Sequence, residues 1–298
     1  MDLEQDNIRK QNHENELPLS PPLTSPSLSH TSSSSETTIQ TSSTSSQVST
    51  LAQKSDQSTG FSTVIEGHVA MKRHSKEPVG LEEKLHLPYV PRANIAVSTE
   101  MPDGTPGWRE KHSHQSVMEQ HCLFWDRDGD GVIWMTDTFR GFRQLGYNLI
   151  MSFLGMMIIN PGFSFFSGNS IFPDPFCRIT LANIHRAKHG SDSGAFDTEG
   201  RFVPNKFEAI FTKYDDEGKG GITFWQGLRM LYRNRCIADG AGIVAASFEW
   251  IITYVLFWPD DGVITKEQMR TVYDGSVFFE IARERQRLGL PNAATDLL

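Results

Sequence analysis

The chain has 298 residues and a formal net charge of −8, which argues against nucleic acid as its main partner. The polar and acidic start, MDLEQDNIRK, predicts that the protein has no signal peptide and is cytosolic. Neither a disulfide framework nor a metal-ligand spacing is indicated by the three cysteines, Cys122, Cys177 and Cys236.

The first part of the chain has the composition of a disordered tail. Residues 1–95 are rich in Ser, Thr, Gln and Pro and lack an apolar period, so they cannot bury enough surface to offset the entropy of ordering. Their Ser and Thr residues are candidates for phosphorylation. From about residue 108 the apolar density rises, which predicts one domain with a core. We divide residues 108–285 into an EF-hand (116–146), a membrane-associated segment (144–175) and a C-terminal helical part (176–285).

Residues 126–137, DRDGDGVIWMTD, have the pattern of a calcium-binding EF-hand loop. Such a loop presents oxygen ligands at positions 1, 3, 5, 7, 9 and 12 and has glycine at position 6. Asp137 at position 12 is shorter than the usual Glu, so we expect weaker calcium binding or a preference for magnesium. The alternative, a surface turn without an ion, is disfavoured because three aspartates, Gly131 and Ile133 fall in register. The expected ligands are Asp126, Asp128, Asp130, the Val132 carbonyl and Asp137.

A second stretch, residues 215–226 (DDEGKGGITFWQ), has the same outline, and we interpret it as a degenerate partner for the calcium loop. Lys219 at position 5 and Gln226 at position 12 should prevent ion binding. The alternative for such stretches is an ordinary turn before a helix. For the Gly200 stretch, named next, the degenerate hand and the ordinary turn are equally supported. The glycine and branched-residue spacing recurs at Gly262 with Ile264 and, more loosely, at Gly200 with Phe202.

Residues 144–173 carry no charge, and Tyr147–Phe166 is about as long as the 20 apolar residues that a bilayer-spanning helix needs. Pro161 followed by glycine should bend or stop a helix near its middle, which favours a re-entrant or monolayer-inserted hairpin over a straight span. The alternative is a buried core helix. Positive charges on both flanks indicate that both ends stay on the cytosolic side: Arg140, Arg143, Arg178, Arg186 and Lys188.

The remaining apolar patterns predict helices, so the fold class is mostly α. It is an EF-hand-like helical domain with degenerate partner hands and an inserted uncharged membrane hairpin or helix. The predicted helices are Ser116–Trp125, Thr136–Gly146, Ile179–His189, Pro204–Tyr214, Phe224–Arg235, Ala245–Phe257 and Lys266–Tyr273.

Three of the ten histidines, His121, His185 and His189, lie in the predicted domain after the polar stretch at residues 111–114. His121 shares an apolar stripe with Val117 and residues 124 and 125, so it faces inward one turn before the calcium loop. The composition alone favours a hydrogen-bonded core histidine there. His185 and His189 are spaced i, i+4 and could chelate a transition metal, although His189 could also satisfy carbonyls at a helix end. No catalytic triad or phosphate-binding glycine loop is present, so an enzyme would need a bound cofactor.

The chain resembles the caleosin family over about residues 110–285. The resemblance is carried by HCLFWDRDGDGVIWMTDTFRGFRQLGYN before the uncharged segment, and by NIHRAKHGSDSGAFDTEGRFVP and KFEAIFTKY after it. The order YDGSVFF at residues 273–279 fits the C-terminal end of that family. The residues departing from the pattern are Asp137, in place of the usual Glu, and a proline-rich bend reduced to FPDPF at 172–176 with Pro161 alone before it.

The resemblance implies a calcium-binding haem peroxygenase at the cytosolic face of lipid droplets or the endoplasmic reticulum. Such enzymes take one oxygen from a fatty-acid hydroperoxide and deliver it to an unsaturated lipid or another acceptor. The implied cofactors are haem b and Ca²⁺, and the implied haem-linked histidines are His121 and His185, with His189 second to His185. Two histidines bound at once would leave no position for peroxide, so one would dissociate or act as an acid–base group.

The competing hypothesis is a non-catalytic, calcium-responsive coat or tether of lipid droplets. A soluble EF-hand sensor is a third option, but the uncharged run argues against it because a sensor groove needs amphipathic, Met-rich helices. The expected partners are the droplet monolayer or the endoplasmic-reticulum membrane, with no nucleic acid. A homo-oligomer is compatible with the sequence, which does not define the oligomeric state.

Overall fold

The computed structural model describes residue 78 and residues 80–291, and this part of the chain is mostly helical, as predicted. Its helices are α1 (Leu81–Lys84), α2 (Trp108–Lys111), α3 (Val117–Cys122), α4 (Met135–Leu145), α5 (Leu149–Ser167), α6 (Pro204–Tyr214), α7 (Phe224–Asn234), α8 (Gly240–Phe257), α9 (Lys266–Tyr273) and α10 (Ser276–Arg287). A 3-10 helix spans Leu181–Ala187. The strands in the same part are β1 (Val132–Ile133), β2 (Ile179–Thr180), β3 (Gly221–Thr223) and β4 (Val263–Thr265).

Most of the predicted Ser/Thr-rich tail lies outside the described residues, but its last part belongs to the fold. Leu81 begins α1, and Leu85 follows the helix directly, with its amide donating to the Leu81 carbonyl at 2.9 Å. Both side chains pack with Val97 in a small buried cluster. Arg92 forms a β-bridge with Phe202, which attaches this segment to the C-terminal part. The predicted tail boundary at residue 95 is therefore too far along the chain.

The calcium loop lies between α3 and α4, as the EF-hand pattern predicts. Its strand β1 pairs in antiparallel fashion with β2, with Val132 opposite Thr180 and Ile133 opposite Ile179. The Leu181 amide then donates to the Gly131 carbonyl at 2.8 Å. The strand partner of this loop is therefore β2, at the end of the uncharged segment, and the prediction of residues 215–226 as its partner is wrong.

Residues 215–226 pair instead with the segment after Gly262. Strand β3 lies antiparallel to β4, and the Lys266 amide donates to the Gly220 carbonyl at 3.0 Å, which repeats the bond seen in the first pair. The Lys219 ammonium contacts the Glu217 carboxylate at 2.6 Å, so a side-chain cation stands among the loop's carboxylates. The prediction that these two loops keep the EF-hand fold is confirmed, and their loss of ion binding stays a prediction. Phe202, by contrast, bridges to Arg92 and Phe196, so the Gly200 segment is a turn.

Helix α5 contains most of the uncharged segment and continues through Pro161. Of the two predicted effects of Pro161, a bend or a stop, the stop is wrong. The second apolar helix that α5 contacts is α8, far along the chain. Both helices are long and apolar enough to enter a membrane. The inward face of α5 is small and polar, because its buried residues are Ser152, Gly155, Asn160, Ser164 and Ser167.

Gly275 brings α10 against α3 at a point where only glycine fits. Its φ is 75°, and a Cβ there would lie 2.4 Å from the Gln120 carbonyl oxygen and 2.9 Å from the His121 Cα. Gly289 has a similar φ of 61° but open space around it. The close approach therefore sets the position of the helix that carries His121.

We expect Gly275→Ala to lower the free energy of unfolding by more than Gly289→Ala. The left-handed backbone alone should cost each variant about 1–2 kcal/mol, and the contact with α3 should add to the loss at position 275 only. Urea unfolding followed by circular dichroism measures both. Equal losses would contradict the role of the close approach.

Candidate active-site cavity and calcium loop

Three of the predicted calcium ligands come together in the first loop. One carboxylate oxygen from each of Asp126, Asp128 and Asp130 lies within 4.8 Å of the others. Burial, followed by the charges of Asp130 and Asp128, raises the pKa of Asp126. The Asp126 Oδ1 is buried without a hydrogen-bond partner, whereas its Oδ2 accepts from the Gly131 amide at 3.1 Å. This donor set fits a divalent cation. The cation would bind the unpartnered oxygen and neutralise the repulsion among the three carboxylates.

Asp137, a fourth predicted ligand, lies outside this group, and the Val132 carbonyl stays a predicted ligand. Asp137 lies in the first turn of α4, where its Oδ2 accepts from the Trp134 amide at 3.0 Å. It therefore caps the helix and is outside the group of three. Val132 lies in β1, and its amide donates to Asp130 Oδ1 at 2.7 Å.

A cavity of about 230 Å³ lies behind the calcium loop. Residues of α3, α4, α5, α8, α9 and the segment 184–196 form its walls, which brings parts distant in sequence to one site. Most of the wall is apolar and aromatic. Prominent members are Phe142, Phe163, Trp250, Leu256 and Phe278.

His121 lines this cavity from the last turn of α3. Its Nδ1 lies 2.6 Å from the Val272 carbonyl oxygen, and its ring packs edge-on against Phe278 at 5.4 Å. A carbonyl can only accept, so Nδ1 carries the proton and Nε2 keeps its lone pair. Burial lowers the pKa of His121, and the Val272 carbonyl opposes this shift only in part. The imidazole is therefore neutral at pH 7.

The structure separates the other two candidate histidines. His189 lines the cavity, and its Nδ1 lies 3.3 Å from Asp239 Oδ2 and 3.2 Å from the Ser191 amide. His185 is half-buried, does not line the cavity, and has its Cβ beside Gly200. The segment is a 3-10 helix that ends at Ala187, whereas the sequence predicts an α-helix to His189. With three residues per turn, positions i and i+4 do not share a face.

Several polar residues of the cavity were not found by sequence reasoning. The most distinctive is Glu249, the only charged residue in α8. A single acid in an otherwise uncharged helix is a signal that could have identified it. Lys188 pairs with Asp192 at the same cavity, and the Tyr273 hydroxyl lies 2.7 Å from the Ser193 hydroxyl.

The chain is similar to several known proteins. The protein-family profile described as Caleosin related protein matches residues 113–282. A peroxygenase of Lilium longiflorum is 40% identical over 236 residues, which are 79% of this chain and 97% of that protein. Probable peroxygenase 4 of Arabidopsis thaliana is 37% identical over 175 residues, 57% of this chain and 87% of that protein.

A third relative, from Arabidopsis thaliana, carries the description probable inactive peroxygenase-like protein. It is 32% identical over 155 residues, which are 49% of this chain and 70% of that protein. No solved structure matches the chain. The profile covers more than half of the sequence, including the calcium loop, α5 and the histidine-bearing segments. The chain therefore belongs to the caleosin family.

Proposed function

We propose that the protein is a haem peroxygenase that uses fatty-acid hydroperoxides to oxygenate unsaturated lipids or other acceptors. The observation that carries this proposal is the neutral His121 held at an apolar cavity by the Val272 carbonyl. The peroxygenases of Lilium and Arabidopsis add support through their similarity. One similar protein has the name probable inactive peroxygenase-like protein, so family membership alone does not establish activity, and the proposal depends on the residues of the cavity.

The cavity residues fit haem b by the chemistry of their donors. An iron-ligating histidine usually donates its second ring N–H to a carbonyl or carboxylate, which orients the ring and raises its basicity. His121 has that arrangement, and aromatic and aliphatic side chains surround it. We therefore propose that His121 would hold the haem iron through its Nε2. The bound haem would supply cleavage of the peroxide oxygen–oxygen bond.

His189 is the second candidate at the cavity. Its Nδ1 accepts from the Ser191 amide and lies beside the Asp239 carboxylate, and these contacts fix the ring at the cavity wall. The motif-based assignment of His185 stays a prediction, but the cavity favours His189. His189 would either give the haem a second nitrogen donor or position the peroxide.

Calcium in the first loop would hold His121 in place, because only Leu123, Phe124 and Trp125 separate α3 from Asp126. Trp125 packs on Phe278, the same ring that contacts His121, with centroids 4.8 Å apart. An ordered loop therefore stabilises one wall of the cavity.

We expect calcium removal to lower peroxygenase activity by about ten- to a hundredfold, the usual effect of losing outer-shell support. Activity should return when calcium is restored, and bound iron should stay constant. Asp126→Asn should reproduce the loss, whereas Asp215→Asn, at position 1 of the degenerate loop, should not. Unchanged activity and haem absorbance after complete chelation would refute the coupling.

We also propose that the protein associates with the lipid-droplet monolayer or the endoplasmic-reticulum membrane from the cytosolic side. The outward face of α5 and the segment after it are apolar and exposed, with Ile150 70% and Ile171 86% accessible. The inward face is polar and packed on protein, so lipid would contact one side of α5 only. This arrangement favours insertion into one leaflet.

The test combines absorbance, activity and flotation of the detergent-purified full-length protein. A Soret band together with oxygen transfer from a fatty-acid hydroperoxide would support the enzyme. Flotation with artificial lipid droplets tests the membrane proposal separately. No Soret band after haem supplementation would overturn the peroxygenase proposal and leave the calcium-responsive droplet protein, which the cavity does not favour.

A further inference from the structure

Glu249 is the one charged residue that α8 contributes to the wall of the cavity. It lies midway along α8, between Phe248 and Trp250, and lines the cavity together with Thr253 and Leu256 on the same helix. More than a third of its surface is free, although protein surrounds the carboxyl group. Glu249 is therefore an accessible residue of the cavity wall.

The Glu249 carboxyl group has no hydrogen-bond or ion-pair partner within residues 80–291. The nearby cation of the cavity wall, Lys188, is paired with Asp192. Asp192 also accepts from the Gly194 amide at 2.8 Å. Glu249 therefore has its oxygens available for a molecule in the cavity.

The surroundings of Glu249 bring its protonation equilibrium into the physiological range. Burial is the largest cause and the Asp192 carboxylate adds to it, and together they raise the pKa of Glu249 to about 7. An acid–base catalyst works best when its pKa lies near the operating pH, because both protonation states are then populated.

The other titratable side chains of the cavity are kept protonated by burial, are paired with a cation, or are candidates for holding haem. Burial raises the pKa of the Cys122 thiol to about 12, and it raises the pKa of Tyr273 as well, so both stay protonated. Asp192 is held by Lys188. The remaining titratable groups, His121 and His189, are the candidates for holding haem.

We propose that Glu249 is the acid–base group that moves the hydroperoxide proton, an inference that rests on the proposed peroxygenase function. The ionised carboxylate accepts the proton of the O–OH group. The oxygen–oxygen bond then breaks, the terminal oxygen goes to the acceptor, and the carboxyl group returns its proton to the oxygen that remains on the fatty chain. One hydroperoxide and one acceptor give one alcohol and one oxygenated acceptor, so no further oxidant or reductant is needed.

The pH dependence follows from the form that starts the reaction. Because the carboxylate is the reactive form, kcat/KM should fall as the pH drops below about 7 and Glu249 becomes protonated. Glu249→Gln should lower kcat/KM about a hundredfold near neutral pH and remove this acid limb. Glu249→Asp should recover part of the rate and keep an acid limb, since it retains a carboxylate.

The matched control is Glu280→Gln, the same chemical change at an exposed position of α10. Its pH profile should equal that of the natural chain. Haem absorbance and circular dichroism of all variants verify that the cavity and the fold are retained. As a measurement independent of activity, infrared spectra of the haem-free full chain should contain a carboxyl band that titrates near pH 7 and is absent in Glu249→Gln.

The outcomes distinguish this inference from the function on which it rests. An active natural chain whose rate and acid limb survive Glu249→Gln would overturn the role of Glu249 while leaving the peroxygenase intact. A haem-loaded natural chain without oxygen transfer would overturn the peroxygenase and this proton transfer together. Absence of the titrating infrared band would overturn the neutral-pH acid whether or not the protein is an enzyme.

Discussion

Replacement of His121 by valine is expected to abolish haem binding and peroxygenase activity together. Valine keeps an apolar β-branched side chain at the cavity but has no nitrogen to donate to iron. It also leaves the Val272 carbonyl without its present partner. We therefore expect loss of the Soret band and a reaction rate at the level of the protein-free control. Absorbance after haem reconstitution and a fatty-acid hydroperoxide assay measure the two effects.

The other two histidines are the matched controls for this experiment. His185→Val should retain the Soret band and most of the activity, because His185 does not line the cavity. His189→Val should shift the band or change the rate, because His189 does. A His121→Val protein that still binds haem and transfers oxygen would exclude His121 as the ligand. If His185→Val instead lost more haem binding or activity than His189→Val, the motif-based assignment of His185 would be favoured.

Among the substitutions proposed here, replacement of Asp274 by alanine should lower the free energy of unfolding most. Asp274 and Arg270 have side chains only 2% and 3% exposed, and the Arg270 Nη1 lies 3.0 Å from Asp274 Oδ2. The same carboxylate accepts from the Thr105 hydroxyl at 2.6 Å and the Ser276 amide at 3.0 Å. Removal of one partner of a buried ion pair typically costs about 3–5 kcal/mol. Glu267, whose Oε2 lies 2.7 Å from the Arg270 Nε, still compensates part of the charge, so the loss should lie near the lower end of that range. Urea unfolding of Asp274→Ala tests this value.

Glu284→Ala serves as the control, since Glu284 pairs with Arg287 on the exposed surface of α10. Solvent screens that pair, so its loss should change stability little. The two variants differ in a second way. Asp274 lies two residues after Val272, whose carbonyl accepts from His121 Nδ1. Asp274→Ala should therefore also weaken haem retention. Equal stability of the two variants would show that the buried pair does not hold α9 in place.

Local patterns in the sequence were sufficient for the features formed by near neighbours. The bounds of α6 and α9 agree with the prediction, because each helix has its own apolar stripe and start signal: Pro204 for α6 and a Thr265 capping box for α9. The three aspartates of the calcium loop come together because a single turn of twelve residues determines their spacing. The inward direction of His121 follows from its i, i+4 relation to Val117, which is fully buried.

Only the tertiary structure decided which distant segments meet. The two-residue strand β2 is too short to have a sequence signal, so its pairing with the calcium loop could not be predicted. The distinction between His185 and His189 depends on a 3-10 helix, whose geometry differs from the α-helix that the spacing suggests. Glu249 reaches the cavity because α8 packs beside α5, and that contact joins segments almost a hundred residues apart. Sequence periodicity reports the face of a helix that is buried, whereas the partner of that face is selected by the packing of the whole domain.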